Sequence, residues 1–213
     1  TLHLKNFFML HIAIAGNIGS GKTTLTELLS KHFKLDALYE DVDTNPYLEN
    51  FYNDMKRWSF NLQIYFLNSR FSQVVNIQKQ QLNVIQDRTI YEDAHIFALN
   101  LYEMGLMDEI DFKTYRDLFD LMTSFLRPPD LLIYLQADVS TLVKQIQIRG
   151  REYETSIRID YLQSLNEKYE KWINNYNHGK KLIINVDNKD FLHNPEDLGV
   201  VINLINAELF GLF

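Results

Sequence analysis

Eight residues, Gly16-Asn17-Ile18-Gly19-Ser20-Gly21-Lys22-Thr23, fit the pattern G-x-x-x-x-G-K-[ST]. Glycines at these places let successive backbone N–H groups turn inward around a phosphate, and a helix N-terminus behind them adds positive potential. Lys22 is placed to reach the outer phosphates, and the Thr23 hydroxyl to ligate Mg²⁺, with Thr24 next in line. Three of the chain's eight glycines fall here. A dinucleotide fold would need G-x-G-x-x-G, which this stretch does not follow.

The motif demands a strand before it and a helix after it. His11-Ile12-Ala13-Ile14-Ala15 is apolar and long enough for one buried strand, and Thr24 to Phe33 carries leucines at helical spacing. Further strands are expected at 37–39, 83–86, 131–135 and 182–186. Helices are expected from Asn45-Pro46 through Tyr52, then at 55–80, 91–103, 111–126, 139–148, 157–176 and 195–209. Strands alternating with helices predict an α/β fold, a five-stranded parallel sheet covered on both faces. No repeat or linker divides the chain, so one domain is expected over 9–213. Residues 1–8 read as a vector remnant or an upstream extension, because Met9 would make a natural start.

Ligands of such sheets bind beyond the carboxyl ends of the strands. Three polar clusters stand there: the glycine-rich loop, Glu40-Asp41 and Asp87-Arg88-Thr89. Phosphoryl transfer needs a phosphate cradle, a metal, a base for the attacking hydroxyl and positive charge for the developing anion. Glu40 is a candidate base, although alone it reads equally well as a solvated strand end. Asp87 is a candidate Mg²⁺ ligand, directly or through water, and Arg88 a candidate for the attacking oxygen's neighbourhood. Arg149-Gly150-Arg151, with Arg158 further on, could form a mobile lid over about 149–158. Gln63 and Arg70 are seven apart on one helix face among Phe60, Phe66 and Leu67. If buried they need partners, a ligand base or Asp93.

Composition narrows the classes. The chain has 213 residues, 46% hydrophobic and 23% charged, with a net charge of −7. That charge argues against coating a nucleic acid. The absence of cysteine excludes disulfides and thiolate metal sites and fits a reducing, cytoplasmic setting. No apolar run approaches a membrane span.

Taken together, these residues resemble the deoxynucleoside kinases of the deoxycytidine/deoxyguanosine kinase type, nearly throughout from residue 10 onward. The resemblance rests on Gly16–Thr23, Glu40-Asp41-Val42, Trp58 to Tyr65 with Ser69-Arg70, Asp87-Arg88-Thr89 with Asp93, Ile96 to Glu103, and Arg149-Gly150-Arg151. It implies a P-loop kinase fold, usually a helix-packed homodimer, and transfer of a γ-phosphoryl group from ATP to a deoxynucleoside 5′-hydroxyl with Mg²⁺. By the same resemblance Glu40 is the general base and Arg88 its partner. Gln63, Arg70 and Asp93 would read the base, Tyr52 and Glu154 the sugar 3′-hydroxyl, and Arg149 and Arg151 would be lid arginines. The stretch Asn185 to Phe191, with Asp190 and Phe191, would lie against the donor's adenine.

The departures are Asp41 for a proline, Asp87 and Thr89 for glutamate and serine, and Gln145 for a third lid arginine, a loss that Arg158 could offset. Asp87 and Thr89 also occur in bacterial purine enzymes that the sequence resembles. Deoxyadenosine is therefore the expected substrate, with deoxyguanosine or deoxycytidine behind it. A nucleoside monophosphate kinase such as thymidylate kinase is the nearest rival, but it needs an extra arginine for its acceptor phosphate. A GTP-dependent switch needs N-K-x-D and D-x-x-G. Asn188-Lys189-Asp190-Phe191 has the wrong spacing, and no glycine has aspartate three places before it.

Overall fold

A computed structural model describes residues 9–40, 44–151, 154 and 157–211. The expectations for residues 1–8, for Asp41-Val42 and for positions 152, 153, 155 and 156 of the lid lie outside the described residues. Five parallel strands, β1 (His11–Gly16), β2 (Asp36–Leu38), β3 (Val84–Asp87), β4 (Leu131–Gln136) and β5 (Lys180–Asn185), line up in the order β2-β3-β1-β4-β5. The central strand β1 is buried along its whole length. Its side chains alternate between two cores, as the two-residue period of a strand requires. Ala13 and Ala15, with Leu132 and Tyr134, face one core; Ile12 and Ile14, with Ile85, Leu131, Ile133 and Leu135, face the other.

The first core is roofed by α2 (Leu48–Asn53), α3 (Met55–Gln80), the run from α4 (Ile90–Glu92) through α5 (Leu99–Glu103), α6 (Glu109–Thr123) and α8 (Ile159–Asn175). The second is covered by α1 (Lys22–Phe33), α7 (Val139–Arg149) and α9 (Pro195–Phe210). Full burial of each such aliphatic side chain contributes about 1.5–3 kcal/mol, so an apolar β1 stays only at the centre of the sheet. The chain leaves β1 through α1 on one face and leaves β3 through α4 on the other. The neighbouring carboxyl ends of β1 and β3 therefore bound a crevice.

The 26-residue α3 contains neither glycine nor proline. The Asp54 side chain accepts a hydrogen bond from Arg57 N at 3.1 Å at its start, and Gln81 ends it in a left-handed conformation. Most element boundaries fall within three residues of the sequence expectation, and two departures have a physical reason. The strand β5 begins two residues earlier, at Lys180, because an edge strand gains ladder bonds to β4 without needing an apolar side chain at each place. The helix expected over 91–103 contains a π-helical segment, Asp93–Ala98, between α4 and α5. Such wide turns recur at functional sites.

The loop Gly16–Thr23 packs against α7. A Cβ on Gly19 would lie 2.7 Å from the Leu142 carbonyl oxygen, at a left-handed φ of +85°. Both the clash and the backbone strain penalise any side chain. Gly19→Ala should therefore cost about 2 kcal/mol, a fall of roughly 4–8 °C in melting temperature for a chain of this size. An unchanged thermal melt would show that loop and α7 can separate freely.

Candidate active site

The loop is pinned before any ligand is considered. Asn17 is buried, and its amide donates to Leu162 O at 3.1 Å and Asn166 Oδ1 at 3.2 Å on α8, while its Oδ1 accepts from Ile18 N. Gly16 N donates to Glu92 Oε1 at 3.2 Å. Gly21, in a left-handed conformation, leads directly into α1. Lys22 donates to Asn17 O at 3.1 Å. Burial, with Arg88 adding to it, lowers the Lys22 ammonium to about 8, so it is still a cation at neutral pH.

The start of α1 and the end of β3 meet through Thr23 Oγ1, which donates to Asp87 Oδ2 at 2.6 Å. The other oxygen, Asp87 Oδ1, is buried without a hydrogen-bond partner. A hydroxyl and a half-satisfied carboxylate suit a hard divalent cation that keeps most of its waters and takes phosphate oxygens. Among the described residues no cluster of three metal-ligating side chains competes with this place.

Glu40 lies two residues past β2 and is 17% exposed. Its Oε1 accepts from Arg70 Nη2 at 2.6 Å and its Oε2 from Arg88 Nε at 3.2 Å. Burial pushes its carboxyl up, but Arg88, Arg70 and Lys22 outweigh that and hold it well below the usual carboxylate range. Arg70, 2% exposed, also donates from Nε to Asp93 Oδ2 at 2.5 Å. Burial pushes the Asp93 carboxyl up, to about 7, against the pull of Arg70 and Arg88. Arg88 has a left-handed backbone, φ 72°, and its guanidinium lies 4.5 Å over the Phe97 ring. Its Nη1 donates to Tyr169 Oη at 2.8 Å and lies 3.5 Å from Glu92 Oε1.

Two cavities open on this cluster. The smaller, about 390 Å³, is lined by Glu40, Tyr52, Gln63, Asp87, Arg88, Asp93 and Glu154, with Ile18, Phe66 and Phe97. The larger, about 670 Å³, is lined by Gly19 to Thr24 and by Val186 to His193, which includes Asp190 and Phe191. Lys22, Thr23, Arg149 and Arg151 line both. Arg149 and Arg151, expected as lid arginines, are fastened to Glu154, which accepts from Arg149 Nε at 3.0 Å and Nη2 at 2.5 Å and lies 3.6 Å from Arg151 Nη1.

Most of the residues singled out in the sequence are thus brought together, with three differences. Arg70 does not line a cavity; it sits behind Glu40 and Asp93 and holds both carboxylates. Arg158 is exposed and pairs with Asp160, away from both cavities, so it does not replace the arginine missing at Gln145. Glu92 and Tyr169 were not foreseen. Glu92 was visible as the last residue of Thr89-Ile90-Tyr91-Glu92, a capping-box pattern that forms as such. Tyr169 had no local signal.

A profile of the deoxynucleoside kinase family matches residues 12–210. This chain belongs to the deoxynucleoside kinase family. It is 40% identical over 196 residues to deoxyadenosine/deoxycytidine kinase of Bacillus subtilis (strain 168), covering 91% of this chain and 90% of that one. It is likewise 40% identical over 211 residues to deoxyadenosine kinase of Dictyostelium discoideum, covering 94% and 85%. Deoxyadenosine kinase from M. mycoides with bound dATP superposes with a TM-score of 0.81 at 31% identity, covering 92% of this chain and 99% of that one. The expected fold and the expected kinase class both hold, and the switch-protein and monophosphate-kinase readings give way. Among the described residues, no helix is long and apolar enough to cross a membrane.

Because Arg70 serves two carboxylates, its removal leaves both short of a counter-charge. Arg70→Met should destabilise the deoxynucleoside kinase by about 3–5 kcal/mol, a melting-temperature loss on the order of 10 °C. Adding Asp93→Leu should recover part of that loss by removing one stranded carboxylate. Absence of any recovery would contradict the pairing.

Proposed function

We propose that this deoxynucleoside kinase, as one domain over 9–213, phosphorylates the 5′-hydroxyl of deoxyadenosine with ATP as donor, deoxyguanosine or deoxycytidine being accepted less well. One observation carries the reading: Lys22, Thr23, Arg149 and Arg151 line both cavities, so a group can pass between them without leaving positive charge. The larger cavity takes the triphosphate, with its phosphates on the loop backbone and its base toward Asp190 and Phe191. The smaller takes the nucleoside. Glu40 accepts the 5′-hydroxyl proton, and Arg88 holds the oxygen and balances the charge that develops. Tyr52 and Glu154 take the 3′-hydroxyl; in doing so Glu154 would release Arg149 towards the phosphates. Thr23 and Asp87 would hold Mg²⁺, which would neutralise charge on the donor phosphates.

Base selection falls to Gln63 and Asp93. Gln63 Oε1 is buried without a protein partner, and Asp93 lines the same cavity. An ionised carboxylate only accepts hydrogen bonds, so it favours an exocyclic amino group and disfavours the O4 of thymine. A buried polar group left unpaired costs about 1–3 kcal/mol, roughly 5- to 150-fold. Arg70 contributes by fixing Asp93 rather than by touching the base. Since Arg70 also holds Glu40, a change at Arg70 would mix selectivity with turnover, and Asp93 alone is the better probe.

A labelled-phosphate screen over four deoxynucleosides and their monophosphates should give the highest kcat/KM on deoxyadenosine, the lowest nucleoside value on thymidine, and no transfer to monophosphates. Asp93→Ala should lower the deoxyadenosine to thymidine ratio by on the order of tenfold. Because the ionised Asp93 carboxylate is the stronger acceptor, whereas the protonated form presents an O–H donor to the amino group, and its carboxyl is raised to about 7, KM for deoxyadenosine should fall as pH rises from 6 to 8, and not in Asp93→Asn. A wild-type preference for thymidine would overturn the reading.

The chain is further proposed to act in the cytoplasm as a homodimer. Ile110, Leu118, Leu121 and Phe125 share one face along α6 and the turn after it and are exposed by 80, 36, 59 and 72%. An apolar stripe of that kind favours burial against a second copy. Leu121→Glu should give a monomer by sedimentation; a wild type that already sediments as a monomer would remove the dimer.

A further inference from the structure

The carboxylate of Glu92 is 0% exposed, yet it is used by three different parts of the chain. Its Oε2 accepts from Thr89 N at 2.6 Å, closing the capping box that starts α4. Its Oε1 accepts from Gly16 N in the phosphate loop and from Tyr169 Oη at 2.8 Å. Tyr169 Oη in turn accepts from Arg88 Nη1 at 2.8 Å. One hydroxyl, arriving from α8, therefore stands between the acceptor-side guanidinium and the donor-side loop. Burial keeps that phenol neutral, since its pKa is pushed well above the ordinary tyrosine value. A neutral phenol has one proton, and here it goes to Glu92 while the oxygen receives Arg88.

We infer that Tyr169 and Glu92 are positioning residues for phosphoryl transfer, fixing the Arg88 guanidinium relative to the phosphate loop. A long arginine side chain has several rotamers, and transfer requires one. Glu40 fixes Nε and the Phe97 ring supports the plane, but each of these faces the nucleoside cavity and can move with its ligand. Tyr169 and Glu92 line neither cavity, so their hold on Arg88 is independent of what is bound. A misplacement of about 1 Å at a reacting group costs on the order of 10²-fold in rate.

The inference rests on the proposed role of Arg88, and the experiment separates the two. Tyr169→Phe deletes the hydroxyl and keeps the ring that stacks on Tyr134 at 5.7 Å. Steady-state kinetics with deoxyadenosine and ATP should show kcat reduced roughly 10- to 100-fold, with KM for deoxyadenosine changed less than about threefold. In an Arg88→Lys background, the same change should lower kcat by less than about threefold further, because the group being positioned is gone. Glu92→Gln, which keeps size and one acceptor oxygen, should repeat the kcat-selective loss. Equal losses in both backgrounds, a wild-type kcat in Tyr169→Phe, or a Glu92→Gln protein that loses stability but not kcat would overturn the inference while leaving the role of Arg88 intact. A wild-type kcat in Arg88→Lys would instead remove Arg88, and with it the proposed chemistry at this end of the cavity.

Discussion

The arrangement depends on keeping one carboxylate charged in a place where water would otherwise do it. Glu40 is clamped by Arg70 on one oxygen and Arg88 on the other. Moving an isolated charge out of water is costly, and the clamp offsets that only because both partners are themselves fixed. Arg70 is held by Asp93 and Arg88 by Tyr169, while Glu92 stands 3.5 Å from Arg88. Each ion is thus the counter-charge of another, which explains why Arg70 and Asp93 are each only 2% exposed although neither is apolar. The same clamp holds the Glu40 carboxyl well below the usual carboxylate range, so it is ionised at neutral pH. Its contribution to stability is full above the ordinary carboxylate pKa of about 4.3 and is lost as pH falls from there towards its depressed value.

The sheet supplies the geometry. Arg88 N donates to Ile14 O at 2.8 Å, so the end of β3 is extended against β1 and the Asp87-Arg88 pair cannot drift from the loop. Helix α3 brings Arg70 and Gln63 to the same side, two turns apart. Helix α8 follows Arg151 and Glu154 in the chain and returns across the loop, offering Leu162 O and Asn166 to Asn17 and Tyr169 to Arg88. The phosphate loop and Arg88 are therefore connected through one helix.

Much of this was legible from local pattern. The phosphate loop is contiguous, β1 is apolar throughout, and Gln63 and Arg70 fall on one face at a spacing that any α-helix dictates. What local pattern could not carry was partnership across the fold. Arg70 meets Glu40 across 30 residues and Tyr169 meets Arg88 across 81, and no periodicity encodes either. For Arg70 the sequence left a ligand base or Asp93 as partner; the structure pairs it with Asp93 and adds Glu40, which no local pattern pointed to. The π-helical turn at Asp93–Ala98 also leaves no mark in a hydrophobic pattern, because Ile96 and Ala98 are as buried as an α-helix would make them. Arg158 shows the reverse error: an arginine near a lid in sequence, claimed by the nearby Asp160 in space.

The claim at the centre is that the clamped Glu40 carboxylate takes the proton of the attacking hydroxyl. Steady-state kinetics of Glu40→Gln with deoxyadenosine and ATP test it most directly, since the amide keeps the size and one acceptor oxygen but cannot take that proton. The expected result is a fall of roughly 10²–10⁴-fold in kcat with little change in KM. A kcat near the wild-type value with only KM raised would contradict it, leaving Glu40 as a binding group and Asp41 as the place to look for the base.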